Sequence, residues 1–354
     1  MAVASIIFMV VVLEGAFRLL AWREDRGGFE RAMALAKPPA AGTTVTLGGL
    51  IRPSPNSRIV YELWPGIDVL FDPLSNGARR RVLTNHAGFR DLDLPTVKGD
   101  GIRRIVGIGD SLMFGWGLEQ GEDYLSRLET GLNSKTGTKT WEVINTSVPG
   151  YNTAMEVETL EAKGLAYRPD VVVVGFCAND ASLPNFIVAQ RDVLALRQSF
   201  LADFVRGRFE LSGSRVGLSA APRRSDDRAF EDDPALVPSL YRSIAGWEAY
   251  ERALDRLRSL AEGHNFRVLV VAFTQDAGDE RKARGLGVAA QLGLPVLDFA
   301  GAEMAYMRAH GIDTYVGSVM TVSAEDAHPS EVSHRIAAAE LLGWMVREQM
   351  VAAR

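Results

Sequence analysis

A single cysteine, Cys177, stands among 354 residues, so no internal disulfide and no CxxC zinc or redox pair can exist. Basic charge is also short: 39 Lys and Arg face 44 Asp and Glu, a net charge of −5. A protein that grips nucleic acid through its phosphates needs a basic surface, so no nucleic-acid partner is expected. The 34 glycines and 15 prolines follow no fixed period, which excludes a collagen-like chain. The 5 histidines show no metal-ligand spacing, and neither a metal nor another cofactor is expected. What remains, 47% hydrophobic and 23% charged residues, is the composition of a folded globular chain.

The N-terminus departs from that pattern. Residues 2–13 (AVASIIFMVVVL) are apolar, and GAFRLLAW continues the run to Trp22, broken only by Glu14 and Arg18. As a helix, such a run spans about 31 Å, against roughly 30 Å for a bilayer's hydrocarbon core. Glu14 and Arg18 are spaced i,i+4 and can pair on one helix face. No basic segment precedes the run and no small-residue cleavage site follows it, so residues 1–23 read as an uncleaved single-pass membrane anchor. Arg18, Arg23 and Arg26 lie at its C-terminal side, which taken alone favours a cytoplasmic domain.

Residues 24–100 read as a linker (KPPAAGT) and an extension with β elements, including a strand and turn over 80–90. From residue 101 short apolar runs alternate with helical periods. The runs are 104–108 (RIVGI), 141–145 (WEVIN), 170–176 (DVVVVGF), 267–273 (RVLVVAF) and 294–299 (LPVLDF). Helices are expected over 124–132, 151–165, 246–262 and 330–351. DVVVVGF is too β-branched for a surface helix and suits a parallel strand buried on both faces. The alternation over residues 101–351 predicts an α/β sandwich around a parallel sheet, within a domain that runs over 101–354. Residues 181–240 interrupt it with an expected helix over 188–206 and then a polar stretch. This insertion leaves the third strand at the sheet's carboxyl edge, where ligands of open α/β sheets bind, and reads equally as a lid or a surface excursion.

Four segments at the strand ends carry reactive residue types. Gly109-Asp110-Ser111 follows the first strand and puts a serine where a helix begins. There the backbone N–H and the helix dipole favour a developing negative charge. NTSVPGYN (145–152) follows the second strand and includes Gly150, and Cys177-Ala178-Asn179-Asp180 follows the third. Glu325-Asp326-Ala327-His328-Pro329 precedes the last helix and sets carboxylates beside an imidazole. A serine hydroxyl needs a base within hydrogen-bond reach to act as a nucleophile. His328 is the histidine with an adjacent acid pair. Each residue taken alone has a plainer reading: Ser111 as a helix cap, Asn179-Asp180 as a turn, Gly150 as a turn glycine, His328 as a helix start and Cys177 as a small buried residue.

In this order the four segments resemble the SGNH hydrolase superfamily, the GDSL-type esterases and acyltransferases. GIGDSLMFGWGLEQGEDYLSRLE, TNHAGFR and VPGYNTA are most similar to its bacterial membrane-anchored members. The resemblance runs from about residue 58 to the C-terminus and implies a flavodoxin-like three-layer α/β/α sandwich of about five parallel strands. It also implies Ser111 as nucleophile, His328 as general base, and an oxyanion hole from the Ser111 and Gly150 N–H groups and the Asn179 side chain. Two positions depart from the family pattern. Cys177 stands where a glycine is usual, two residues before Asn179. The triad acid usually lies three residues before the histidine, where this chain has Glu325. Asp326, two before, matches the spacing of some exopolysaccharide acyltransferase relatives and is the expected acid, with Glu325 as the alternative.

The expected activity is a serine esterase that removes a short acyl group from an oxygen ester of a carbohydrate or cell-envelope substrate. O-acyl transfer to an envelope polysaccharide and a catalytically weak glycan-binding module of the same fold are the alternatives. The resemblance implies a catalytic domain on the periplasmic or extracellular side, held at the lipid bilayer by the N-terminal helix.

Overall fold

The computed structural model describes residues 2–24, 36–74, 78–187, 194, 199–202, 204, 229–273 and 278–351. Most of the expected helix over 188–206, and residues 219–228 of the polar stretch, lie outside them.

Ten strands and nine α-helices run through the described residues in this order: α1 (Ala2–Glu24), β1 (Thr44–Val45), α2 (Leu47–Leu50), β2 (Ile51–Pro53), β3 (Tyr61–Leu63), β4 (Asp68–Phe71), β5 (Arg80–Leu83), β6 (Arg103–Gly109), α3 (Ser111–Phe114), α4 (Tyr124–Thr136), β7 (Trp141–Asn145), α5 (Thr153–Ala162), β8 (Val171–Phe176), α6 (Trp247–His264), β9 (Arg267–Ala272), α7 (Glu280–Gln291), β10 (Val296–Asp298), α8 (Ala300–Ala309) and α9 (Glu331–Arg347). The five strands from β6 on form one parallel sheet in the order β10-β9-β8-β6-β7. Numbered within the sheet, that is 2-1-3-4-5 read from the β7 edge, the flavodoxin-like order.

Strand alternation divides the core in two. Val172 and Val174 join Val106, Ile108, Val268 and Val270 in one apolar cluster with Met155 and Leu160 of α5 and Leu254 and Leu257 of α6. Val171 and Val173 join Ile105, Leu269 and Val271 in the other, with Leu125 and Leu128 of α4 and Leu341 of α9. Because neighbouring side chains of a strand point to opposite faces, the continuous valine run of β8 fills both layers.

The extension is part of this core rather than a linker throughout. Tyr61, Leu63, Val69, Phe71 and Phe89 are buried in the same cluster as Val106 and Val172. Arg104, at the start of β6, is fully buried, and its guanidinium binds the carbonyls of Pro95, Thr96 and Tyr167 and the Glu142 carboxylate. The insertion closes at its base: the Asn152 amide donates to the carbonyls of both Ser182 and Ile244, and Gly246 N–H donates to Ala181 O.

Among the described residues no helix is long and apolar enough to cross a membrane. The span expected over residues 1–23 corresponds to α1, but it does not stand as a membrane-crossing helix on the residues described. The Glu14–Arg18 pair forms, at 2.8 Å. Glu14 also accepts the Phe200 and Leu201 N–H groups.

Candidate active site

The serine lies where β6 hands over to α3, at the point where the sheet's order reverses: β7 lies on one side of β6 and β8 on the other. Asp110 caps α3, its Oδ1 accepting the Leu112 N–H at 2.9 Å. The turn is tight because residue 109 has no side chain; a Cβ there would sit 2.8 Å from Met113 Cβ. Ser111 is thereby held at the carboxyl edge of the sheet, 8% exposed.

The chain reaches this point a second time just before α9. Val322 N–H donates to His328 O and Ser330 N–H to Met320 O, and these bonds fold residues 320–330 back on themselves. The loop sets His328 Nε2 2.9 Å from Ser111 Oγ. His328 Nδ1 lies 2.6 Å from Asp326 Oδ1, which also accepts the His328 backbone N–H at 3.1 Å. Read as one chain of hydrogen bonds, Nδ1–H donates to the carboxylate and the bare Nε2 accepts the serine hydroxyl. Burial opposes the charged form of Asp326, but the hydrogen bond and charge of His328 hold its carboxyl below the usual range. Glu325 instead accepts from the Ser323 hydroxyl at 3.2 Å and is exposed. Of the two acids in that segment, the structure brings Asp326 to the imidazole.

Gly150 lies beside the nucleophile turn because Val148 N–H donates to Gly109 O and Thr146 N–H to Gly107 O. Its φ is +77°, a conformation that favours glycine. A Cβ would fall on the Asn185 carboxamide and 2.8 Å from Tyr61 Oη. The Tyr61 hydroxyl donates to Pro149 O at 3.0 Å, so the extension braces this loop from outside. Asn179 reaches the same turn, donating from Nδ2 to Asp110 Oδ2 at 3.2 Å. Burial pushes the Asp110 carboxyl above its usual range, partly offset by bonds from Leu112, Asn179 and the Cys177 thiol and by the charge of His328. Cys177 thus fills the usual glycine position with a small buried donor to Asp110.

Two residues near the site, Trp116 and Arg90, were not singled out by sequence. The Trp116 indole donates from Nε1 to Asp326 Oδ2 at 2.9 Å, and its ring stacks on His328 at 4.9 Å between centroids. Arg90 is buried and binds the carbonyls of Phe114, Gly115 and Leu118. Asp180 accepts the Thr153 hydroxyl at 2.8 Å, tying the third segment to α5. The available signal was the pair of glycines around Trp116, both at positive φ, which force a sharp turn right after the serine helix. His334 is fully buried on α9, and its Nδ1 accepts the Tyr124 N–H. Among the described residues no group of three or more His, Cys, Asp and Glu side chains could hold a metal ion.

A parallel α/β sheet with a hydroxyl, an imidazole and a carboxylate in line at its carboxyl edge defines a serine hydrolase. The chain belongs to the GDSL-like lipase/acylhydrolase family, whose model matches residues 108–336. Among solved structures, an acetyl xylan esterase (AlAXEase) is 13% identical, covering 68% of this chain and 98% of its own, at a TM-score of 0.43. A lipase/acylhydrolase from Enterococcus faecalis is 18% identical over 72% and 99%, also at 0.43. A catalytic mutant of an acetylxylan esterase from Geobacillus stearothermophilus is 14% identical over 73% and 100%, at 0.43. No curated protein matches.

Proposed function

We propose that this acylhydrolase removes short acyl groups from oxygen esters of a carbohydrate or cell-envelope substrate through an acyl-enzyme on Ser111. The observation that carries the reading is the 2.9 Å contact of Ser111 Oγ with His328 Nε2, backed by Asp326 at 2.6 Å. Oγ attacks the ester carbonyl as Nε2 takes its proton, and Asp326 stabilises the imidazolium that forms. The oxyanion is received by the Ser111 and Gly150 N–H groups and Asn179, each donor contributing about 3 kcal/mol to lowering the barrier. His328 then returns the proton to the leaving alcohol, and water repeats the sequence in reverse to free the acid.

A sugar hydroxyl in place of that water gives O-acyl transfer, and both outcomes share the first half-reaction. The Asp-x-His spacing, shared with some acyltransferase relatives, supports keeping this second reading. A catalytically weak glycan-binding module was suggested by the unusual acid spacing, and the 2.6 Å approach of Asp326 weighs against it. A fluorophosphonate probe is expected to label wild type on the Ser111 peptide and to leave Ser111→Ala unlabelled; labelling elsewhere overturns the assignment. Release of acid with no transfer to an added glycan removes the transferase reading.

The same proposal puts the protein at a lipid bilayer through α1, with the catalytic domain on the periplasmic or extracellular side. Its support is the row of exposed apolar side chains from Ile6 to Val12, with Phe8 at 70% exposure. A topology reporter fused after Arg354 that is active only in the cytoplasm overturns the orientation. Recovery of the full chain in the soluble fraction overturns the bilayer contact.

A further inference from the structure

The triad acid has two oxygens, and the hydrogen bonds that fix them come from different parts of the chain. Oδ1 takes both His328 contacts, from Nδ1 and from the backbone N–H. Oδ2 takes the indole N–H of Trp116 at 2.9 Å. The same indole lies face to face with the imidazole, 19° from parallel. A second ring contact is Phe71 of β4, edge-on at 4.9 Å and fully buried, so the indole is held between Phe71 and His328.

Trp116 itself has little freedom. It follows Gly115, at φ +77°, and precedes Gly117, at φ +76°. A Cβ on Gly117 would run into Val322 of the histidine loop, so the two loops are in close contact there. Arg90 binds the backbone on both sides of the indole, with Nη1 on Phe114 O at 2.7 Å and Gly115 O at 2.8 Å, and Nη2 on Leu118 O at 2.7 Å. Its guanidinium also packs over the Phe114 ring at 4.8 Å.

We infer that Trp116 is a positioning residue of the catalytic centre, fixing the Asp326 carboxylate through Oδ2 and the His328 ring through stacking, with Arg90 and Phe71 of the extension holding it in place. The inference rests on the acyl-enzyme reading of the site. With Oδ2 held by a donor, the carboxylate cannot rotate away from Nδ1–H, and the stacked ring cannot tilt without losing its contact with the indole. The indole N–H also draws negative charge away from Oδ1. Removing it therefore makes the carboxylate a stronger partner for Nδ1–H and favours the protonated imidazole.

The test compares wild type and Trp116→Phe, which keeps an aromatic face and removes the N–H, on a short-chain p-nitrophenyl ester. The expected result is a kcat lower by about tenfold with little change in KM, as for a lost hydrogen bond to a charged group. The acid limb of the kcat/KM profile is expected to move to higher pH. An unmoved limb overturns the inference, whether kcat is unchanged, the loss falls on KM alone, or the melting temperature drops. Should Trp116→Phe not fold, the wild-type chain still decides. It has 6 tryptophans, and with 15N-labelled indoles one N–H resonance should titrate at the midpoint of the acid limb. Absence of any such resonance overturns the inference. If wild type hydrolyses no ester, the acyl-enzyme reading fails, while titration of His328 against the indole signal still reports whether the two are coupled.

Discussion

Asp326 and His328, two residues apart, face each other across 2.6 Å because the His328 backbone N–H folds back onto the same carboxylate oxygen. The loop thereby builds the acid–imidazole pair before either meets the serine. Glu325, one residue earlier, projects to the surface. Asp326→Asn should lower kcat by about a thousandfold or more, since the wrong imidazole tautomer is then favoured. Glu325→Gln should stay within about twofold of wild type, as a surface change far from such features does. Initial rates on a p-nitrophenyl acetate substrate separate the two, and equal losses would reassign the acid.

Gly150→Ala should damage catalysis more than binding. The new methyl meets Tyr61 Oη and the Asn185 side chain, and residue 150 must keep a φ of +77°. Displacing the loop removes one oxyanion donor, so kcat should fall about a hundredfold with KM little changed. Steady-state kinetics together with a melting curve test this, and an unaltered kcat would remove Gly150 from the oxyanion hole.

His334 gives the fold a dependence on acid. Burial, with the nearby charges of Arg127, Arg90 and His328, pushes its imidazole down to about 3. A base depressed in the folded state contributes stability that is present above its unfolded value and is lost as pH falls toward the folded one. Here the window opens below about 6.5, and by pH 4 the loss is about 3 kcal/mol. Urea midpoints of wild type should fall from pH 7 to pH 4, and those of His334→Gln should fall less. Parallel slopes would refute this.

Arg104→Met should destabilise the whole domain. The guanidinium is fully buried and satisfies the carbonyls of Pro95, Thr96 and Tyr167 as well as Glu142. Methionine fills most of the space but leaves those acceptors without a donor, at a cost of about 3–5 kcal/mol. A single cooperative urea transition, shifted to lower midpoint, is the expected result. Two separate transitions would mean that the extension and the sheet unfold independently.

The central sheet was legible because β8 is a run of valines and because β6, β7 and β9 are apolar over five to seven residues. β10 contracts to Val296–Asp298, where a longer run was expected. In the extension only the strand starting at Arg80 was read individually, because the strands there span two to four residues, too short to show a period of two. Residue types and order nominated Ser111 and His328, and the two-residue spacing favoured Asp326 over Glu325; the turn of residues 323–328 is what carries Asp326 to the ring and leaves Glu325 outside. Trp116 was missed for the same physical reason: an indole meets an imidazole only after two loops, more than two hundred residues apart, pack together.

The grip of Asn152 on both Ser182 and Ile244 has a practical consequence. The two ends of the excursion between them are fastened together beneath it, and its returning limb buries Val237, Tyr241 and Ile244 in the core shared by α5 and α6, so a graft in this region has to keep that limb.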